Sequence, residues 1–198
     1  MITVTGASGK TGSKVAELLL KKNEKVRAIG RSAEHLRNLA DQGAEILIGD
    51  QCDVKFLTQA FTGVDAAYVL IPPKMDTDNN RKYYKEMSKV IVKAVKASKL
   101  KKLVFLSSLG AERKSGTGPV LGLHDAEDAL SSLKKVDIVF LRVGYFFENI
   151  LSTLPVIKAK KVNSNVAAPD APVLMVSTGT SRSGPRIFSL TAPSGAMR

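Results

Sequence analysis

The stretch "TVTGASGKTGSK" at residues 3–14 sets Gly6, Gly9 and Gly12 three residues apart, directly after the short run Ile2 to Thr5. Glycine tolerates positive φ and marks turns everywhere, so a flexible loop is the plain alternative. The flanks argue otherwise. A strand-like run precedes the glycines, and the residues from about Lys10 to Lys22 follow with Val15, Leu18 and Leu19 at helical spacing. Strand, glycine turn and helix in that order make a cradle for a pyrophosphate. The first glycine permits the sharp turn, the second lets the backbone approach the phosphates, and the third lets the helix pack closely on the sheet. Free N–H groups and positive potential at the helix N-terminus complete it. The chemistry implied is dinucleotide binding, with Gly6, Ser8, Gly9, Lys10, Thr11 and Gly12 around the phosphates.

Cofactor choice is read at the end of the second strand, where an NAD site places a carboxylate on the ribose hydroxyls. Here stand Gly30, Arg31 and Ser32. A guanidinium is a forked donor for a 2′-phosphate and Ser32 adds a hydroxyl, so NADP(H) is expected ahead of NAD(H). A surface arginine at a strand end is the competing reading. In "GDQCD", Asp50 is assigned to the adenine amino group and Asp53 to capping the next helix. Ile71 and Pro72 of "LIPP" are placed beside the nicotinamide ribose, although a proline there also simply ends a strand.

The elements that must position these residues alternate along the chain. "KVRAIG", "AEILIG", "DAAYVLI", "KLVFLSS" and "DIVFLRV" are short apolar runs of the kind buried parallel strands show. Between them lie helical patterns: one capped by Ser32 and carrying Leu36 and Leu39, one through Leu57 and Phe61, one from about Asn79 to Ser98, and one with Ala126, Ala129, Leu130 and Leu133 inward. Right-handed crossovers then imply an α/β, Rossmann-like doubly wound parallel sheet of order 3-2-1-4-5-6. Its ligand crevice falls at the carboxyl ends of strands one and four.

Bulk composition narrows the class. A chain of 198 residues with 44% hydrophobic residues suits one globular domain. No apolar run approaches the roughly eighteen residues a membrane span needs, and no charged-then-apolar leader precedes the first strand, so a cytoplasmic protein is expected. Cys52 is the single cysteine, read as a reduced bystander, and with only His35 and His124 beside it no metal site is expected. The net charge of +12 raises nucleic acid as a partner, but lysines 21–22, 101–102 and 134–135 fall after helices and before strands, where cations complement the helix dipole. No basic run is interleaved with aromatics, so we expect a solvated basic face on the side away from the crevice, and neither nucleic acid nor membrane as a partner.

"VTGASGKTG", "RAIGRS", "GDQCD", "KKLVFLSSLGA", "GLHDAEDAL" and "LRVGYFFENIL" together resemble the NmrA-like branch of the atypical short-chain dehydrogenases/reductases, near the bacterial NAD(P)H:quinone reductases, from Met1 to about Val162. The resemblance implies hydride transfer from NADPH to a quinone or similar small electrophile. Typical relatives use a Tyr-x-x-x-Lys pair to pass a proton to a carbonyl oxygen. Through "GLHDAEDAL", the tyrosine position here is Leu121 and the lysine position Asp125. Ser107, Ser108 and His124 remain as polar groups over the nicotinamide, His124 alternatively only starting a helix. Tyr145, Phe146 and Phe147 are possible pocket walls, one or two of them facing the site, with Asn149 on the loop backbone. Ser107, His124 and Tyr145 are the catalytic candidates.

Beyond about Met175 the family pattern is lost in a sequence rich in Ser, Gly, Pro and Arg. We expect residues 1–162 to form the nucleotide-binding domain and 163–198 a divergent tail, the remnant of a substrate lobe removed by a frameshift or early stop. A small-molecule substrate and a homodimer are expected. Two other readings stand beside the enzyme: a redox sensor that binds nucleotide without turnover, and an inactive truncated relative.

Overall fold

In a computed structural model, which describes residues 1–74, 77, 79–151, 153–162 and 173–178, six strands form one parallel sheet. They are β1 (Ile2–Val4), β2 (Val26–Gly30), β3 (Glu45–Ile48), β4 (Ala66–Val69), β5 (Lys102–Ser108) and β6 (Asp137–Val143), in the order β3-β2-β1-β4-β5-β6. Helices α1 (Lys10–Lys21), α2 (Arg37–Asp41), α3 (Val54–Phe61), α4 (Asn80–Ser98) and α5 (Leu121–Ser131) connect them. The order is the one the crossover rule predicts.

Alternation along each strand divides the core in two. Val26 and Ala28 of β2, Ala66 and Tyr68 of β4 and Val104 of β5 meet Val15, Ala16 and Leu19 of α1 with Leu36 and Leu39. Ile29, Ala67, Val69, Leu103 and Phe105 face the other way, onto Leu57 and Phe61 of α3, Met87 and Ile91 of α4 and Leu130 of α5. Phe61 and Phe105 are wholly buried, and each such side chain contributes about 1.5–3 kcal/mol on leaving water. On α1 the inward face is Val15, Ala16 and Leu19, while Leu18, expected inside, is half-buried; on α5, Ala129 is likewise half-buried.

Helix ends follow their chemistry unevenly. Asp53 caps α3 as expected, its Oδ1 accepting from the Lys55 N–H at 2.8 Å. Ser32 caps nothing. The chain leaves β2 into a short 3-10 turn, Glu34–Leu36, preceded by Ala33 in helical conformation without a side-chain cap, and α2 starts only at Arg37. The last carbonyls of α3 are instead bound from the sheet: Arg27 Nη1 donates to the oxygens of Ala60 at 2.9 Å and Thr62 at 3.0 Å while its Nε holds Glu45 at 2.7 Å. Lysines 96, 99, 101, 134 and 135 gather at the amino ends of β5 and β6, opposite the crevice.

After β6 come a two-residue strand β7 (Tyr145–Phe146), helices α6 (Glu148–Leu151) and α7 (Leu154–Lys160), and β8 (Met175–Val176), which pairs in parallel with β7. A boundary at residue 162 therefore does not separate the fold from all that follows, because residues 173–178 return to it. The rest of the expected tail, residues 163–172 and 179–198, lies outside the described residues.

Candidate functional site

Two cavities open along the carboxyl ends of the strands. They share Gly6, Ser8, Pro72 and Pro73, so they form one crevice with a waist. Its position between β1 and β4, where the strand order reverses, is where ligands bind in such sheets.

The waist is built by the glycine turn. Gly6 has φ +59°, the left-handed region that glycine enters without strain, and the Gly9 N–H donates to its carbonyl at 2.8 Å. Gly12 stands behind this turn rather than in the cavity wall: a Cβ there would lie 2.2 Å from the Gly6 oxygen and 2.8 Å from the Thr5 oxygen. Of the glycines assigned to the cofactor, Gly12 is thus the one that sets α1 against the sheet. α1 has Gly9 as its N-cap and no side-chain cap, which leaves amide protons of its first turn for a ligand. A dinucleotide fits this cradle.

One arm of the crevice, about 430 Å³, is lined by Ile29, Gly30, Arg31, Gly49, Asp50, Gln51, Cys52, Lys74 and Tyr83. Arg31 and Asp50 are brought together here, whereas the half-buried Ser32 is not in the wall. Lys74 adds a second cation that sequence reading missed; it stands 6.0 Å from the centre of the Tyr83 ring. Its signal was available, a lysine just after the strand-ending prolines, but only folding brings it across to Arg31. Asp50 Oδ1 accepts from the Cys52 N–H at 2.8 Å, which orients the carboxylate. Cys52, read as a bystander, belongs to this wall. Its Sγ is 3.4 Å from Met87 Sδ, and partial burial followed by the nearby Asp50 pushes the thiol pKa up, which makes it a poor nucleophile. Burial holds the Tyr83 phenol at about 12, and its O–H donates to the Pro72 carbonyl at 3.0 Å.

The other arm, about 620 Å³, is lined by Lys10, Thr11, Leu70, Ile71, Tyr84, Leu106, Ser107, Ser108, Leu123, Val143, Tyr145, Phe146, Asn149 and Thr178 among others. Tyr145 and Phe146 face it, while Phe147 is 51% exposed and outside it. His124 is not in this wall. Its ring Nδ1 is bonded to the Ala111 carbonyl at 2.8 Å, and Nε2 lies 3.4 Å from Asp128, so the imidazole ties the loop after β5 to α5. The catalytic candidates in the wall reduce to Ser107 and Tyr145. Tyr84, on α4, was missed because it reads as one more residue of a long amphipathic helix; burial raises its pKa and keeps the phenol protonated at neutral pH.

Leu121 and Asp125, at the positions of the usual tyrosine and lysine, lie outside both arms. Asp125 accepts from Arg81 Nε at 2.6 Å and Nη2 at 2.9 Å, which holds its carboxyl below the usual range and joins α5 to α4.

The far end of this arm is fastened by Glu148. Its Oε1 accepts from the Thr178 hydroxyl at 2.6 Å, the Thr178 N–H at 2.9 Å and the Ser177 hydroxyl at 3.0 Å. These bonds, the Thr178 hydroxyl foremost, hold the carboxyl down at about 2. A depressed carboxylate contributes stability that is complete above its unfolded value near 4.5 and is lost as pH falls through about 2. The Thr178 amide resonance should accordingly titrate with a midpoint near pH 2; a midpoint near 4.5 would show that this tie does not form.

Residues 6–166 match the model of a family described as NAD(P)H-binding. The chain belongs to that family. It is 30% identical over 161 residues to an NmrA-like family domain-containing oxidoreductase of Aspergillus japonicus, covering 78% of this chain and 46% of that protein. It is 31% identical over 160 residues to quinone oxidoreductase 2 of Escherichia coli strain K12, covering 78% of this chain and 52% of the relative. Among solved structures, the Citrobacter sp. triphenylmethane reductase complexed with NADP(H) superposes with a TM-score of 0.68 at 28% identity, covering 80% of this chain and 54% of that one. The chain spans about half the length of these relatives. Among the described residues no helix is long and apolar enough to cross a membrane.

Proposed function

We propose that the chain binds NADPH along the crevice and reduces a quinone or a similar flat electrophile. One observation carries this reading: the two arms meet at the glycine turn, one bearing two cations, Arg31 after β2 and Lys74 after β4, and the other walled mainly by apolar and aromatic residues. Arg31 and Lys74 take the 2′-phosphate, Asp50 the adenine amino group, and Ser8 to Thr11 the pyrophosphate. Ile71 and Pro72 back the nicotinamide ribose. When bound, the reduced nicotinamide supplies the hydride.

The chain's own residues then hold and shield the acceptor. Leu70, Leu123, Tyr145 and Phe146 exclude water and offer a slot for a planar ring, with the Tyr145 hydroxyl as the polar group that orients it. With leucine at position 121 and aspartate at position 125, both outside the wall, the tyrosine–lysine pair of the typical relatives is not there to deliver a proton. A quinone asks least for one, because its aromatising ring spreads the charge that a simple ketone would concentrate on one oxygen. The names of the Escherichia coli and Citrobacter relatives, a quinone oxidoreductase and a triphenylmethane reductase, support flat acceptors.

NADPH consumption with and without a 1,4-naphthoquinone tests this directly. Oxidation that requires the quinone, and that runs at least tenfold less efficiently with NADH, is the expected result. Nucleotide binding with no turnover across a panel of quinones and cationic dyes would overturn the enzyme and leave the sensor.

A further inference from the structure

Behind Ser107 lies an ionic network in which a buried carboxylate, Glu127, is held by an arginine, Arg142, that reaches it from the surface. Ser107 ends β5 at 3% exposure, and Glu127, on α5, is 5% exposed. The Ser107 hydroxyl is 2.5 Å from Glu127 Oε1. Arg142, paired with Ser107 in the β5–β6 register, donates from Nε to the same oxygen at 3.0 Å and from Nη2 to Oε2 at 2.5 Å.

These contacts decide which way the serine proton points. A guanidinium has only donors, and here it feeds both carboxylate oxygens, so Glu127 is ionised and has no proton to give. The Ser107 proton must then go to Glu127. A hydroxyl carries one donor and two acceptor lone pairs, and with its donor committed Ser107 can offer the cavity only lone pairs.

We propose that Glu127, held by Arg142, is a positioning residue that fixes Ser107 as a hydrogen-bond acceptor, so that this wall selects a ligand group bearing an N–H. Resting on the reading that places the nicotinamide in this arm, the group is its carboxamide. The wall would then favour the carboxamide over a ring substituent that keeps the carbonyl but lacks the N–H.

Calorimetry with NADP and its 3-acetylpyridine analogue, in which a methyl replaces the amide nitrogen, tests this without turnover. One neutral hydrogen bond predicts that the wild-type preference for NADP exceeds that of Ser107→Ala by roughly three- to tenfold. Glu127→Ala frees the hydroxyl to rotate and donate, and should erase the same preference; adding it to Ser107→Ala should change the ratio no further. A merely structural Glu127 would weaken both nucleotides alike and leave their ratio intact, which would overturn the proposal. So would an unchanged ratio in Ser107→Ala, a variant small enough to fold even where Glu127→Ala does not. Failure of wild type to bind either nucleotide would instead refute the cofactor reading on which this one rests.

Discussion

Replacing Arg31 with alanine is expected to weaken NADPH binding roughly ten- to hundredfold while leaving NADH almost unchanged. The figure follows from charge-assisted hydrogen bonds of about 1.5–3 kcal/mol between a guanidinium and a phosphate. Arg31 stands at the end of β2 with Lys74 across the same arm of the crevice, so the 2′-phosphate would lie between two cations. The two are not equivalent. A guanidinium offers a rigid fork, whereas an ammonium is a hydrated point charge on a flexible stem. Lys74→Ala should cost about 1 kcal/mol, near fivefold in affinity, and the double variant less than the sum because both bind one phosphate. Added salt should erode NADPH affinity more steeply than NADH affinity in the wild type, and less so in the double variant. Equal losses for the two nucleotides in Arg31→Ala would remove Arg31 from the phosphate site.

Gly12 and Gly9 separate two uses of the same motif. An alanine at residue 12 would drive its Cβ to 2.2 Å from the Gly6 oxygen and 2.6 Å from the Gly6 carbon. These are backbone atoms of the turn and cannot swing aside, so α1 must move off the sheet. Overpacking of this kind costs about 3 kcal/mol or more, which for a chain of this length lowers Tm by roughly 6–12 °C. Binding should fall with it, because the shift moves the first-turn amides. Gly9 differs. Its φ of −94° suits any residue, and an added Cβ meets only the Gly6 oxygen at 3.3 Å. Gly9→Ala should keep a near-native melting temperature and still lose nucleotide affinity by tenfold or more, since the methyl would occupy the surface a pyrophosphate must approach. Differential scanning fluorimetry with calorimetry separates these outcomes, and full affinity in Gly9→Ala would show that nothing passes close to that backbone.

Much of the frame was legible because it depends on local pattern. Apolar runs alternating with helical spacing, joined by right-handed crossovers, lead to the observed order β3-β2-β1-β4-β5-β6. Asp53 could be read as a cap because capping is decided within a few residues. Ser32 misled for the complementary reason: its residue type suits a cap, but β2 runs on into a 3-10 turn whose direction is set by Leu36 packing into the core. His124 looked available until folding set Ala111 within reach of its ring. Lys74, Tyr84 and Glu127 were not legible, since each acquires its role from partners on other elements. Glu127 reads as a polar residue on an amphipathic helix, and only the register of β6 beside β5 brings Arg142 to it.

A crystal structure with NADPH tests the central claim most directly. The expected density runs the length of the crevice, with the diphosphate over the Gly6 to Thr11 turn, the 2′-phosphate between Arg31 and Lys74, and the nicotinamide beside Ser107. An empty crevice at saturating NADPH, or a nucleotide bound elsewhere on the chain, would contradict it.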